Sequence, residues 1–251
     1  MRLLLTNDDG VNSEGIYTLA KELQKEHEII IAAPSIEMSA KSHSITISDP
    51  LFIKEVELDE IHSSAYSISG TPADCVKVAM DKILTKPVDM VISGINYGTN
   101  LGIDILYSGT VSAAIEAAIH NVPSIAISSE VKKGDINFNT AANVAKNIIK
   151  ISKENFTKNN LVLNVNVPCL DKESLKGIKV CQMGGRTFTS CFEEIEKENE
   201  ISYILRGELT NGHKSNTDIY YLRNGYATIT PLHYDLTNFK IINDVCNWFK
   251  Y

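Results

Sequence analysis

Apolar residues along this chain switch between two spacings. Leu3, Leu4 and Leu5 run without interruption after Arg2, which predicts a strand over 2–6 buried on both faces. Ile16, Leu19, Ala20 and Leu23 then fall at i, i+3, i+4 and i+7, one face of a helix over 13–23, with Asn12 or Ser13 as its cap. Glu28 to Ala33 reads as a second buried strand, so the first third of the chain opens on a parallel, right-handed βαβ unit. A serine-rich polar loop over 34–50 follows, then a weakly alternating stretch over 51–58. Thr71-Pro72-Ala73-Asp74 combines a capping hydroxyl, a first-position proline and a first-turn acid. It predicts a helix that continues through Val76, Ala79, Met80 and Ile83. Beyond it the pattern predicts a strand at 88–92, an alanine-rich helix at 110–120 and a strand at 122–128. A helix at 139–151 and a strand at 161–167 complete the series.

Alternation of this kind predicts an α/β fold with a mostly parallel sheet and helices on both faces, occupying about 1–170. All seven prolines fall at element junctions, which supports the boundaries. From about 177 the pattern becomes β-rich. Gly184-Gly185-Arg186 reads as a turn and 193–200 as a solvated charge run. Ile219–Leu222 and Tyr226–Thr230 read as a hairpin around Arg-Asn-Gly, and 236–251 has helical spacing. The expectation is a single domain over 1–251 whose C-terminal part, about 177–251, extends the main sheet and is exchanged with a neighbouring subunit.

Charge narrows the function. The net charge is −7, which argues against non-specific binding of duplex nucleic acid. An anionic substrate would need a local positive element, such as a metal ion or a helix N-terminus. The five cysteines form no C-x-x-C pair, which fits reduced thiols in the cytoplasm. No apolar run approaches the ~18 residues needed to span a bilayer, and the first strand is too short for a signal-peptide core.

The candidate chemistry gathers at strand ends. Asp8 and Asp9 follow the first strand directly, then Gly10. In a parallel α/β sheet the carboxyl ends of the strands face the ligand. Two adjacent carboxylates repel each other there unless a cation lies between them, and oxygen donors favour a hard ion, Mg²⁺ or Mn²⁺. The bland reading is an Asx turn in which Asp8 caps the next helix. A second segment, Ser93-Gly94-Ile95-Asn96-Tyr97-Gly98, follows another buried strand on the same edge, and Asn96 offers a neutral carbonyl oxygen. It is neither a Walker A loop nor G-x-G-x-x-G. A third, Ser108-Gly109-Thr110, opens the alanine-rich helix, where free N–H groups, two hydroxyls and the helix dipole suit a phosphate. The alternative is an ordinary helix cap. A metal and a phosphate site on one sheet edge point to phosphate ester hydrolysis.

Taken together, N-D-D-G-V-N at 7–12, S-G-T-P-A-D-C-V at 69–76, S-G-I-N-Y-G-T-N-L-G at 93–102 and Y-S-G-T-V-S-A-A at 107–114 resemble the SurE family of nucleotidases. G-Y-A-T-I-T-P-L-H-Y-D at 225–235 is similar to that family's C-terminal region. The resemblance implies a Rossmann-like three-layer core and a metal-dependent phosphoric monoester hydrolase acting on nucleoside 5′-monophosphates, and on 3′-monophosphates. It also implies a homodimer or homotetramer built through C-terminal segments. By position it implies one divalent cation per subunit on Asp8, Asp9, Ser39 and Asn96, with Asp8 and Asp9 catalytic. The phosphate would contact Asn96, Ser108, Gly109 and Thr110. The chain departs from the family pattern after the second strand: Ser35 stands where the family has an acid, and Met38 where it has an arginine just before Ser39. Lys41 is the nearest candidate replacement.

His43 lies in the same loop and could protonate a leaving alcohol or contact a base. No H-E-x-x-H or G-x-S-x-G is present. Two competing functions remain. A phospho-receiver domain also places paired acids after its first strand, but the strand around Val91 ends in Ser-Gly-Ile-Asn without the phospho-accepting aspartate. A nucleotide sensor that binds without turnover would follow from the Ser35 and Met38 departures.

Overall fold

The computed structural model describes residues 1–152, 161–197, 200–209 and 214–249. Strand β1 (Arg2–Thr6) is central, and its three leucines are fully buried. Leu3 and Leu5 face one side of the sheet and Leu4 the other, as the two-residue repeat of a strand requires. Helix α1 (Glu14–Leu23) buries the four residues that its periodicity selects. Ser13 holds its N-cap position without a side-chain cap; its hydroxyl instead accepts from Asn7 Nδ2 at 2.7 Å. Next come β2 (Glu28–Pro34), β3 (Ile53–Val56) and β4 (Ala65–Ile68), the last of which the pattern did not predict. Helix α2 (Pro72–Val78) starts on the anticipated signal: Thr71 and Asp74 form a reciprocal capping box, and a π-type turn carries the chain on to Ile83.

Strand β5 (Met90–Tyr97) runs five residues further than the apolar run suggests. Its register on the next strand, β6 (Ser124–Ser129), shifts between Ser93 and Asn96. Gly94 sits in this bulge at φ +137°, where a Cβ would come within 2.2 Å of Ile127 O. Between β5 and β6 lies α3 (Gly109–Ile119), and α4 (Phe138–Ser152) leads to β7 (Val162–Val167). Helices α1 and α4 cover one face of the sheet, α2 and α3 the other. Alanines 113, 114, 117 and 118 are fully buried, so α3 lies close on the sheet.

The C-terminal part contains β8 (Ile178–Val180), β9 (Phe188–Lys197), β10 (Glu200–Leu209), α5 (Asp218–Arg223), β11 (Ala227–Leu232) and α6 (Ile242–Trp248). The nine-stranded sheet has the order β3-β4-β2-β1-β5-β6-β7-β11-β8. Strands β4 to β7 are mutually parallel; β3 and the β11–β8 pair run against them. The α/β class with antiparallel additions is therefore as expected.

The 219–230 hairpin is not. Ile219–Leu222 is helical, capped by Thr217 Oγ1, which accepts from Tyr220 N at 3.3 Å. Ile219 and Leu222, three apart, bury together against Leu101. A four-residue apolar run fits a strand and a helix turn equally, and here the buried partner decided. The expected turn at 184–186 is irregular chain. Most of the charge run at 193–200 lies in the ribbon formed by β9 and β10; residues 198 and 199 are outside the described residues. The closing helix is the short α6, with 250 and 251 likewise outside. Among the described residues no helix is long and apolar enough to cross a membrane.

Candidate functional site

The chain leaves β1 outward through α1 to β2, then crosses back through α2 to β5 on the other side of β1. The carboxyl ends of β1 and β5 thus flank the point where strand order reverses, the place where such sheets hold ligands. Asp8 and Asp9 lie there. Asp8 is 4% exposed and receives the Thr110 hydroxyl on Oδ1. Asp9 Oδ2 accepts the Tyr97 backbone N–H at 3.0 Å, so the last residue of β5 holds the second carboxylate. Gly10, at φ +100°, lets the chain turn back toward β2: Val11 N donates to Pro34 O at 2.8 Å. A side chain at Gly109 would meet Asp8 Cβ at 2.9 Å; its absence lets the start of α3 close on Asp8.

Burial pushes the Asp8 carboxyl from its ordinary 3.8 up to about 6; bonds from Thr110 oppose this, and the neighbouring Asp9 charge adds to it. Asp9 is raised too, first by burial, then by Glu37, with the Tyr97 N–H opposing. Burial is thus the first cause of both shifts, and the neighbouring acids add to it. The donors are carboxylate and amide oxygens. Asn96 donates its amide to Gly98 O at 2.8 Å, so its carbonyl oxygen is the atom that could hold a metal. Among the described residues no group of three or more His, Cys, Asp or Glu could hold a metal. Carboxylate and amide oxygens could hold a hard divalent ion better than zinc.

The structure brings together Asp8, Asp9, Asn96 and the 108–110 turn. The two hydroxyls of the turn are used differently. The Ser108 hydroxyl caps α3 by accepting from Val111 N at 3.1 Å, and the Thr110 hydroxyl serves Asp8. Accepting that bond leaves the Ser108 hydroxyl its own proton to donate, so the turn offers this hydroxyl, the Gly109 N–H and the helix dipole, while Thr110 is turned to Asp8. Ser39 is exposed, and its hydroxyl donates to Glu37 Oε1 at 2.7 Å rather than to either aspartate. Its loop does reach the site: Met38 N donates to Asp8 O at 2.7 Å.

Glu37, which sequence reasoning passed over, brings a third negative charge toward Asp9. It stands one residue before Met38, where the resemblance led one to expect arginine, and no local pattern marks it. His43, a candidate acid, has Nε2 2.8 Å from Glu116 Oε2.

The family model described as survival protein SurE matches residues 3–190. A Clostridium tetani protein named 5′-nucleotidase SurE is 83% identical over 249 residues, covering 99% of this chain and 100% of its own. A Clostridium botulinum Type A protein of the same name is 51% identical over 246 residues, with 97% of each chain covered. The crystal structure of the SurE protein from Aquifex aeolicus superposes with a TM-score of 0.88 at 36% identity, covering 100% of both chains. The chain belongs to the SurE family.

Proposed function

We propose that this chain is a 5′-nucleotidase that hydrolyses nucleoside 5′-monophosphates, and 3′-monophosphates, to nucleoside and phosphate with the help of one divalent cation. The carrying observation is the buried Asp8 beside Asp9 at the switch point, closed on by the N-terminus of α3. Asp8, Asp9 and Asn96 would hold the cation, with Ser39 joining if its hydroxyl turns from Glu37. Mg²⁺ or Mn²⁺ there supplies charge neutralisation and Lewis acidity.

The chain's own residues do the rest. The Gly109 backbone N–H and the Ser108 hydroxyl hold phosphoryl oxygens at the positive end of α3. Thr110 fixes Oδ1 of Asp8, leaving Oδ2 to orient an attacking water and take its proton. Tyr97 N–H steadies Asp9, so the carboxylates do not swing apart.

The supporting names are those of the relatives, all called 5′-nucleotidase. Assembly as a dimer or tetramer through C-terminal segments follows the family resemblance. It is supported by Phe192, Ile201, Leu205, Phe239 and Trp248, each at least 59% exposed. A cytoplasmic setting fits the free thiols of Cys75, Cys169, Cys181 and Cys246. The test is phosphate release from nucleoside 5′- and 3′-monophosphates with Mg²⁺, with Mn²⁺ and with chelator. Release that survives chelation, or is absent with either metal, sinks the reading.

A further inference from the structure

Away from the aspartate pair, the described residues hold one other cluster of ionisable groups around a buried carboxylate. Glu116 projects from α3 about two turns beyond Thr110 and is 4% exposed. His43 Nε2 lies 2.8 Å from its Oε2, Lys77 Nζ 3.2 Å from its Oε1, and His120 Nε2 3.3 Å from its Oε1. Burial pushes this carboxyl up, but the bonds from His43 and Lys77 outweigh that and hold it below the ordinary range. Three elements thus meet on one charge: α3 through Glu116 and His120, α2 through Lys77, and the serine-rich loop through His43. A buried carboxylate stays ionised only where such partners surround it.

The loop is what gains. It carries Ser39 and presses Met38 N on the backbone of Asp8. It is fastened on both sides of His43. Ser42 donates from its backbone N to Tyr107 O at 3.0 Å and from its hydroxyl to Leu106 O at 2.7 Å. Thr71 Oγ1 donates to Ser44 O at 2.7 Å. Thr46 donates from N and Oγ1 to Asp74, at 2.9 and 2.7 Å. Thr46 is likewise held by a buried carboxylate, Asp74; His43 differs in tying the loop to Glu116 on α3, the helix whose N-terminus meets Asp8.

We propose that Glu116, acting through His43, is a positioning residue for the cation and substrate site: it locks the 38–46 loop on the same helix whose N-terminus meets Asp8. This inference rests on the nucleotidase reading. It assigns His43 to holding the loop and not to protonating the leaving alcohol.

The experiment uses the full chain and measures the Mn²⁺ concentration for half-maximal phosphate release, kcat at saturating Mn²⁺, direct Mn²⁺ affinity by electron paramagnetic resonance, and hydrogen exchange over 38–46. Glu116→Ala and His43→Ala are each expected to raise the Mn²⁺ requirement and the Mn²⁺ Kd about tenfold, as loss of an outer-shell partner does. Each should leave kcat at saturating Mn²⁺ within about twofold, since the aspartates remain. The double variant should be no worse than either single one, because the two act as a unit. Glu116→Gln, which keeps an acceptor for His43, should recover most of the affinity.

A drop in kcat with an unchanged Mn²⁺ Kd, additive effects in the double variant, or unaltered exchange over 38–46 overturns the proposal. If Glu116→Ala fails to fold, His43→Ala and Glu116→Gln decide it on the same readouts. Wild-type protein that releases no phosphate sinks the nucleotidase reading instead; the Mn²⁺ Kd and exchange data then judge the loop separately.

Discussion

The rim of the central sheet and the β9–β10 ribbon with the tail beyond β11 treat burial in opposite ways. At the rim, polar groups are drawn inside and several are paired: Asp218, fully buried, accepts from Gly102 N at 2.8 Å and Gly184 N at 2.7 Å. Asn100 is tied to Asn164, Asn166 and Ser128 by bonds of 2.7–2.9 Å. At the ribbon and tail, large apolar groups are turned outward: Phe192 is 70% exposed, Ile201 73%, Leu236 86% and Trp248 72%. One region spends desolvation to fix a few charged atoms; the other keeps apolar area for something to cover. The exposed apolar ribbon fits the assembly proposed above, whereas the paired groups of the rim find their partners within the chain.

That contrast can be broken from the rim side first. Asp8→Asn is expected to lower phosphate release about a thousandfold or more in a fixed-metal assay, as loss of a single catalytic carboxylate does. Normal turnover in that variant would remove the site altogether.

The same variant also sharpens the electrostatic half of the comparison. Folded Asp8 titrates near 6 and the unfolded group near 3.8. Its folded pKa is raised, so its relative stabilisation is whole below about 3.8 and disappears as pH rises through about 6. Metal-free Asp8→Asn should therefore match wild type below pH 4 and exceed it by up to about 3 kcal/mol at pH 7, measured by denaturant unfolding across pH. Saturating Mn²⁺ should narrow the gap by stabilising only wild type.

A smaller effect tests packing behind the rim. A Cβ at Gly15 would sit 1.9 Å from Ile95 O, so Gly15→Ala should cost about 1–3 kcal/mol in the same assay. The smallest effect on the folded chain should come from the ribbon. Phe192→Asp with Ile201→Asp should change the stability of dilute protein by less than about 0.5 kcal/mol, the usual figure for surface positions. Light scattering should nevertheless show the assembly falling to monomer. An unchanged mass would mean the ribbon is not what joins the subunits.

Much of the rim was legible beforehand and little of the ribbon was. The Thr71-Pro72-Ala73-Asp74 start, the α1 stripe and the leucine strand are local signals, each complete within a few residues. The hairpin expected at 219–230 failed because Tyr-Tyr-Leu-Arg carries no period long enough to choose; burial on Leu101 and the cap at Thr217 chose a helix. β4 escaped notice for a similar reason: only Ala65 and Ile68 of its four residues are buried. At the site, adjacency made Asp8 and Asp9 conspicuous, while Glu37 and Glu116 had no marking pattern.

By itself, then, the sequence determined the alternation of strands and helices, the acid pair after β1 and the loops that would share its edge, because spacing and caps act over one or two turns. Only the tertiary structure decided how the side chains were used. Thr110 was given to Asp8 across 102 positions, and His43 to Glu116 across 73. Such partnerships follow from which strands lie side by side and how closely α3 rests on them, and no local rule reaches that far.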